Sequence, residues 1–218
     1  MYTIYYTCDV NPDTKPEMAE WSKELFPWLK TQNFVFHRSM RNAGIDKPDL
    51  VAYFDFNDEA SAQEFWSSPG WKDTLTKFRM YTSNMREHRL DESPLTGLGM
   101  RGTQTGDANY TILYTCDVKP ECKPDMAAWT ATLLPWLKEQ KFIYHRSTRN
   151  AGVDSPELIA YFDFEDAVSA NEFWTCDGWK EVIAKFGLYT TNQREYRLLP
   201  SPLSGYGIEG TQKGDMAR

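Results

Sequence analysis

Hydrophobic and polar positions along the first half of the chain predict four strands and two helices. β-Branched and aromatic residues are concentrated in four segments that are typical of strands, namely 2–9, 34–40, 50–56 and 81–90. Apolar residues recur at three- and four-residue spacing over 16–32, which predicts an amphipathic helix that Pro27 should kink or divide. A second helix should begin after an N-cap at Asp58 and be interrupted at 68–70. The predicted order is therefore βαββαβ.

The same pattern then returns in the second half of the chain. The segment that begins at Tyr2 recurs from Tyr110, and His37-Arg-Ser recurs as His145-Arg-Ser, always at an offset of 108 residues. A period this long indicates a duplicated domain rather than a solenoid of short repeats. We therefore predict two domains, 1–108 and 109–218, each ending in a Gly-rich arm.

The order βαββαβ is that of the ferredoxin-like unit, in which the helices cover one face of an antiparallel sheet. The other sheet face of a lone unit would stay uncovered, and two units can cover it by packing sheet against sheet. The sequence thus predicts an α+β fold in which two fused ferredoxin-like βαββαβ units form an intrachain pseudo-dimeric α+β barrel. This architecture is also compatible with a homodimer of tandem chains.

The two arms, 91–107 and 199–215, resemble each other too closely to be a simple linker and a tail. Each contains a G-x-G-x-x-G pattern, beginning at Gly97 in the first arm and at Gly205 in the second. Dinucleotide binding requires that pattern between a strand and a helix, and no helix is predicted after either arm. We instead expect each arm to pack across the neighbouring repeat.

Composition excludes several classes of protein. The chain has 218 residues, a net charge of -7 and a pI of about 5.1, which argues against a nucleic-acid partner. No apolar run reaches the length of a membrane span, and the first residues do not resemble a signal peptide, so we expect a cytoplasmic protein. The four cysteines lack C-x-x-C spacing and only three histidines are present, so no metal site is expected.

One set of strand side chains is unusually polar. Strict alternation sends Phe34, Phe36 and Phe54 toward the helices, and it sends His37 and Tyr53 to the opposite face, inside the predicted barrel. Buried polar groups need partners, so this face is either a pocket for a small-molecule ligand or a self-satisfied polar network.

His37 and its copy His145 are the candidate catalytic bases, because a neutral imidazole can take a proton near pH 7. The short connection between the second and third strands predicts antiparallel pairing that sets His37 opposite Asp55 and His145 opposite Asp163. An adjacent carboxylate would orient the ring and raise its pKa. The alternative is that both histidines are hydrogen-bonded core residues.

Four further residues are candidates for substrate binding. Arginine suits a carboxylate or enolate substrate, although a structural ion pair with Asp46, Glu87 or their copies is the alternative. The tyrosines lie on the same predicted polar face as the histidines. These candidates are Arg41, Arg149, Tyr53 and Tyr161.

The second helix carries a resemblance to a known family. It reads Ser61-Ala-Gln-Glu-Phe-Trp-Ser-Ser-Pro-Gly-Trp-Lys72 and, with the βαββαβ order, resembles the antibiotic-biosynthesis-monooxygenase-like group of dimeric α+β barrel proteins. The resemblance covers essentially the whole of each copy. It implies the barrel fold. It also implies that Trp66 and Trp174 lie near the mouth of the pocket, although tryptophans at helical spacing are usually core residues.

That group includes cofactor-independent oxygenases of aromatic polyketides and haem-degrading enzymes. The haem-degrading members carry a histidine where this chain has Leu75 and Ile183. The resemblance therefore implies a cofactor-independent monooxygenase or isomerase-type enzyme, without a cofactor, acting on a small aromatic or enolisable molecule. A barrel that binds a ligand without chemistry, and a structural or assembly protein, are the alternatives.

Overall fold

The structure is a computed structural model that describes residues 1–93, 96–97, 99–152, 154–202 and 204–214. The first repeat forms β1 (Tyr2–Val10), α1 (Lys15–Leu29), β2 (Phe36–Asn42), β3 (Leu50–Phe56), α2 (Glu59–Ser67), α3 (Pro69–Tyr81) and β4 (Thr82–Glu92). The first arm contributes β5 (Met100–Arg101). The second repeat forms β6 (Tyr110–Val118), α4 (Lys123–Lys138), β7 (Tyr144–Asn150), β8 (Leu158–Phe164), α5 (Ala167–Thr175), α6 (Asp177–Tyr189) and β9 (Thr190–Pro200), and the second arm contributes β10 (Ile208–Glu209).

These elements confirm the predicted βαββαβ order in both repeats. The predicted interruption of the second helix is present, since α2 ends at Ser67 and α3 begins at Pro69. Of the two effects predicted for Pro27, a kink or a division of the helix, the division is absent, because α1 continues through Pro27 as one element.

The chain forms two compact units, and each unit takes its arm from the other repeat. The first unit consists of 1–90 with 199–214, and the second of 91–198. The sheet of the first unit has the order β10–β2–β3–β1–β4, and that of the second has β5–β7–β8–β6–β9. Each is the ferredoxin-like order with an arm strand added at one edge, in antiparallel pairing with β2 or β7.

The core of each unit lies between the helices and one face of its own sheet. In the first unit, apolar residues of β1 and β3 pack against tryptophans and phenylalanines of the helices, which exclude water from that face. Members of this core include Ile4, Tyr6, Phe54, Phe65 and Trp71.

A bulge at the start of β2 decides which side chains face this core. Val35 donates its N–H to the carbonyl of Asp55 over 2.8 Å, and the next residue, Phe36, is the register partner of the same Asp55. Two residues on one strand therefore oppose one on the other, and the alternation is reset. As a result Phe34 and His37 lie on the same face, where both rings contact the ring of Phe54.

The predicted register is consequently wrong by one residue. His37 lies opposite Phe54 rather than Asp55, and the same shift places His145 opposite Phe162 rather than Asp163. A one-residue shift exchanges the two faces of a strand. Both histidines therefore lie on the helix face of their sheets, whereas Phe36, predicted to face the helices, lies on the other face.

Cys8 and Cys116 are small core residues, as predicted. Both are fully buried, and burial raises the pKa of both thiols to about 12, which leaves them neutral. Within the described ranges, no helix is both long and apolar enough to cross a membrane, and no group of three metal-ligating side chains is found.

The start of α3 offers a test of local stability. The hydroxyl of Ser68 accepts a hydrogen bond from the N–H of Trp71 over 3.2 Å and so caps the helix. We expect Ser68→Ala to lower the free energy of unfolding by about 1 kcal/mol in urea titrations. Ser68→Cys is the matched control, because Cys176 caps α6 in the same way, and it should cost less than the alanine variant. Equal losses for both variants would contradict the capping role.

Candidate functional site

Each unit contains a pocket between its sheet and its helices. In the second unit the pocket has a volume of about 80 Å³, and its wall is almost entirely apolar, with Leu134, Phe162 and Val182 among the lining residues. The first unit has a pocket at the matching place with a volume of about 30 Å³. Apolar walls with a few polar groups are typical of sites that bind small molecules.

A histidine lies in the wall of each pocket. The Nδ1 atom of His145 lies 2.9 Å from the carbonyl oxygen of Tyr161, and the ring stacks on Phe162 with centroids 3.9 Å apart. Because a carbonyl only accepts hydrogen bonds, Nδ1 carries the proton and Nε2 presents a lone pair. Within the described part of the chain, Nε2 has no hydrogen-bond partner. His37 has the same geometry in the first unit, with Nδ1 bonded to the carbonyl of Tyr53.

Both imidazoles are neutral at pH 7. Burial lowers the pKa of His37 and of His145 to about 4, because the charged ring would lose its hydration. The bond to the backbone carbonyl and the negative charge of Asp55 or Asp163 oppose this shift only in part. Each histidine is therefore a hydrogen-bond acceptor toward its pocket.

The first arm completes the pocket of the second unit. The hydroxyl of Thr96 lies 3.0 Å from the hydroxyl of Ser147 and accepts the N–H of that residue, so the arm is tied to β7 two residues beyond His145. Thr96 also lines the pocket. Met100 of β5 is the cross-strand partner of His145.

The second arm makes the equivalent contacts in the first unit. The hydroxyl of Ser204 accepts the N–H of Ser39 over 2.8 Å and lies 2.8 Å from its hydroxyl. Ile208 of β10 is the cross-strand partner of His37 and belongs to the core. These contacts agree with the expectation that each arm packs across the neighbouring repeat.

Two further hydrogen-bond donors belong to residues in the wall of the second pocket, Tyr114 and Trp179. Tyr114 keeps its proton at neutral pH, because burial raises the pKa of its hydroxyl. The indole N–H of Trp179 is buried and has no hydrogen-bond partner among the residues that the structure describes. The indole N–H of Trp71, at the matching place in the first unit, is equally without a partner among the described residues.

Asp55 and Asp163 lie on the sheet face opposite to the pockets. Asp55 is fully buried and accepts a hydrogen bond from the hydroxyl of Thr3 over 2.6 Å, and Asp163 accepts one from Thr111 over 2.5 Å. The structure does not bring either carboxylate into the pocket beside the imidazole. Each acts on the histidine of its own unit only through its charge.

The predicted arginines lie outside both pockets. Arg41 is exposed at the end of β2. Arg149 is exposed at the end of β7, where its Nε atom lies 4.0 Å from Glu157. Arg149 therefore contacts an acidic residue at the surface, although this is Glu157 and not a copy of Asp46 or Glu87.

The predicted aromatic candidates lie near the histidines without lining the pockets. The carbonyls of Tyr53 and Tyr161 hold the histidines, whereas the tyrosine rings lie on the other sheet face. Trp66 and Trp174 are half-buried, and their indole N–H groups donate to Glu87 and Glu195. The tryptophans that line the pockets are Trp71 and Trp179.

Sequence reasoning missed the serines and the arm residues of the site. Ser39 and Ser147 follow the histidines by two positions, and this spacing already places each serine on the same strand face as its histidine. Thr96 and Ser204 occupy equivalent positions in the two arms, so the conservation of a hydroxyl between the copies was the available signal.

Comparison with solved structures places this geometry in a known fold. A candidate monooxygenase from Fusobacterium nucleatum matches with a TM-score of 0.73 at 13% identity, over 91% of each chain. An anthrone oxidase-like protein matches with a TM-score of 0.66 at 11% identity, over 98% of this chain and 94% of that one. A variant of chlorite dismutase from Candidatus Nitrospira defluvii matches with a TM-score of 0.61 at 15% identity, over 93% and 91% of the two chains.

The chain has the dimeric α+β barrel fold. The matches span nearly its full length, so both repeats together correspond to the folded part of these proteins. No protein-family model matches the sequence, and no curated protein matches it either. At these identities the likeness shows the fold alone, and any activity has to be argued from the pocket.

Proposed function

We propose that this protein binds a small, mostly apolar molecule with an acidic hydroxyl or an enolisable C–H group, and that His145 accepts its proton. One observation carries the proposal. His145 is held by the carbonyl of Tyr161 as a neutral ring, and its Nε2 lone pair, in the wall of an apolar pocket, has no hydrogen-bond partner among the described residues. A ligand hydroxyl that enters this pocket finds its best partner there.

The proton transfer would be assisted by the surroundings of the ring. A free imidazole with a pKa of about 4 is a weak base, but an anion formed beside it would stabilise the protonated ring in a low-dielectric site. The Tyr114 hydroxyl keeps its proton and can donate to that anion. The pocket groups, rather than Arg41 or Arg149, would therefore stabilise the negative charge.

Cofactor-independent oxygenation is the reaction class that best uses such a base. A deprotonated CH2 group of an electron-rich aromatic gives its electrons to O2, and the CH2 group and O2 become a carbonyl and water without a further reductant. The candidate monooxygenase and the anthrone oxidase-like protein among the structural matches support this class. Return of the proton to a different carbon would instead be an isomerisation with the same base.

Ligand binding without turnover is the second candidate. The low pKa of both histidines favours it, because an imidazole that resists protonation is a good acceptor and a poor base. Consumption of O2 with an enolisable aromatic substrate separates the two candidates.

Phenol and toluene test the proposed contact directly. They have similar size, and only phenol can donate a proton to His145. We expect phenol to bind roughly tenfold more tightly than toluene, in line with one hydrogen bond to an unpaired acceptor. NMR of protein labelled on its three histidines reports the contact, because the His145 ring signal should move with phenol.

His145→Gln is the matched variant for this test. It should bind toluene as the wild type does and lose most of the preference for phenol. Equal binding of phenol and toluene to the wild type would contradict the proposal, as would phenol binding that leaves the His145 signal unmoved.

A further inference from the structure

The two pockets are built from equivalent residues but differ in size. The pocket of the second unit measures about 80 Å³, and that of the first about 30 Å³. At roughly 10–15 Å³ of such space for each water molecule, the smaller pocket has room for only a few water molecules. The second pocket therefore has more than twice the space of the first, although both have partly exposed residues at their mouths.

Three residues that line both pockets differ between the repeats, and one of them, Ser22 against Thr130, is the smaller residue in the first unit and so does not account for its smaller pocket. At the offset of 108 residues, Phe26 of α1 corresponds to Leu134 of α4, and Thr74 of α3 corresponds to Val182 of α6. Both Phe26 and Leu134 are half-buried, so they stand where the pocket meets the surface. A phenyl ring in place of an isobutyl group fills space at that mouth, and a threonine hydroxyl makes the wall less apolar.

The histidine and the tyrosine in the pocket wall are equivalent in both units. His37 and His145 have the same bonds to a backbone carbonyl, the same stacking and the same neutral state. Each also has a buried tyrosine nearby, Tyr6 or Tyr114, in the pocket wall. Both units therefore present the same imidazole and phenol groups, and they differ in how much room a ligand has to reach these groups.

We infer that the chain binds one ligand, in the second unit, and that Phe26 closes the matching pocket of the first unit. The inference rests on the proposed function for the class of ligand, a small aromatic molecule with a hydroxyl group. Residue 26 and its counterpart 134 then determine which of two otherwise equivalent sites is open. In the first unit His37 serves as a buried core residue, stacked on Phe54 with ring centroids 4.0 Å apart.

Reciprocal variants test this inference with phenol as the probe. The full chain is compared as wild type, Phe26→Leu, Leu134→Phe and the double variant, which has the same composition as the wild type. Histidine-labelled NMR resolves the two sites, and His88→Tyr identifies the remaining histidine signal, since Tyr196 stands at that place in the second repeat. Calorimetry gives the number of sites and the affinity.

In the wild type we expect one site and movement of the His145 signal alone. Phe26→Leu should add a second site and move the His37 signal as well. Leu134→Phe should weaken phenol binding at least tenfold, and the double variant should move His37 instead of His145. Unchanged urea midpoints would show that the variants are folded, and the double variant keeps the test valid if a single substitution is poorly tolerated.

Two results would overturn the inference while the proposed function stands. One is a wild type in which both histidine signals move at the same phenol concentration, and the other is a Phe26→Leu variant that still has one site. A wild type in which phenol moves neither signal would overturn the inference and the proposed function together.

Discussion

Lowering the pH from 7 to 5 is expected to destabilise the folded chain by roughly 2 kcal/mol for each of its two buried histidines. Burial lowers the pKa of His37 and of His145 from 6.5 to about 4 in the folded state. Between these values the unfolded chain takes up protons that the folded chain does not. The free energy of unfolding is therefore highest above pH 6.5, falls as the pH drops below that value, and levels off with respect to these groups below about 4.

Urea titrations followed by tryptophan fluorescence at pH 7 and pH 5 measure this effect. The double variant His37→Gln/His145→Gln is the control. A glutamine amide stays neutral between pH 5 and pH 7, and it can still donate a hydrogen bond to the backbone carbonyl that accepts one from the imidazole in the wild type. The loss of stability between the two pH values should be several-fold smaller in this variant. A wild type with the same urea midpoint at both pH values would show that the histidines are not buried as the structure places them.

Much of the fold could be predicted from the sequence because its signals are local. The spacing of Met18, Trp21 and Leu25 on one helix face and the breaker segment 68–70 each depend on a few neighbouring residues. The constant offset between the repeats then allowed each element to be checked twice. The comparison with known structures confirms the dimeric α+β barrel fold that these elements predicted.

The face on which the histidines lie could not be predicted in this way. It depends on the bulge at Val35, and the backbone there is held by a segment that is distant in sequence. Gly210 donates its N–H to the carbonyl of Val35, and Gln212 donates to that of Phe34. The alternation argument assumes a regular strand from Phe34 onward. The one extra residue in the bulge exchanges the two strand faces, so the histidines lie in the pockets beneath the helices and not on the opposite sheet face, where they were predicted.

Substitution of Gly210 by alanine is expected to release the second arm from the first unit. A Cβ atom at this position would lie 2.2 Å from the carbonyl oxygen of Phe34 and 2.9 Å from that of Gln32. Backbone atoms cannot rotate away as a side chain can, so the arm must move, at a cost of about 3 kcal/mol. The neighbouring bonds from Thr211 to Gln32 and from Gln212 to Phe34 would be lost with it.

Amide hydrogen exchange of Thr211 and Gln212 measures this release, and about 3 kcal/mol corresponds to exchange roughly a hundredfold faster than in the wild type. Gly205→Ala is the matched control in the same arm. Gly205 has a φ of +55°, but an added Cβ would meet no atom within 4 Å, so this variant should suffer only the strain of the left-handed conformation, about 1 kcal/mol. Because Ile208 pairs with His37, the His37 ring signal should also move in Gly210→Ala, while the His145 signal stays in place. Equal exchange rates in the two variants, or fast exchange of both amides in the wild type, would show that the second arm does not hold the bulge that turns His37 toward its pocket.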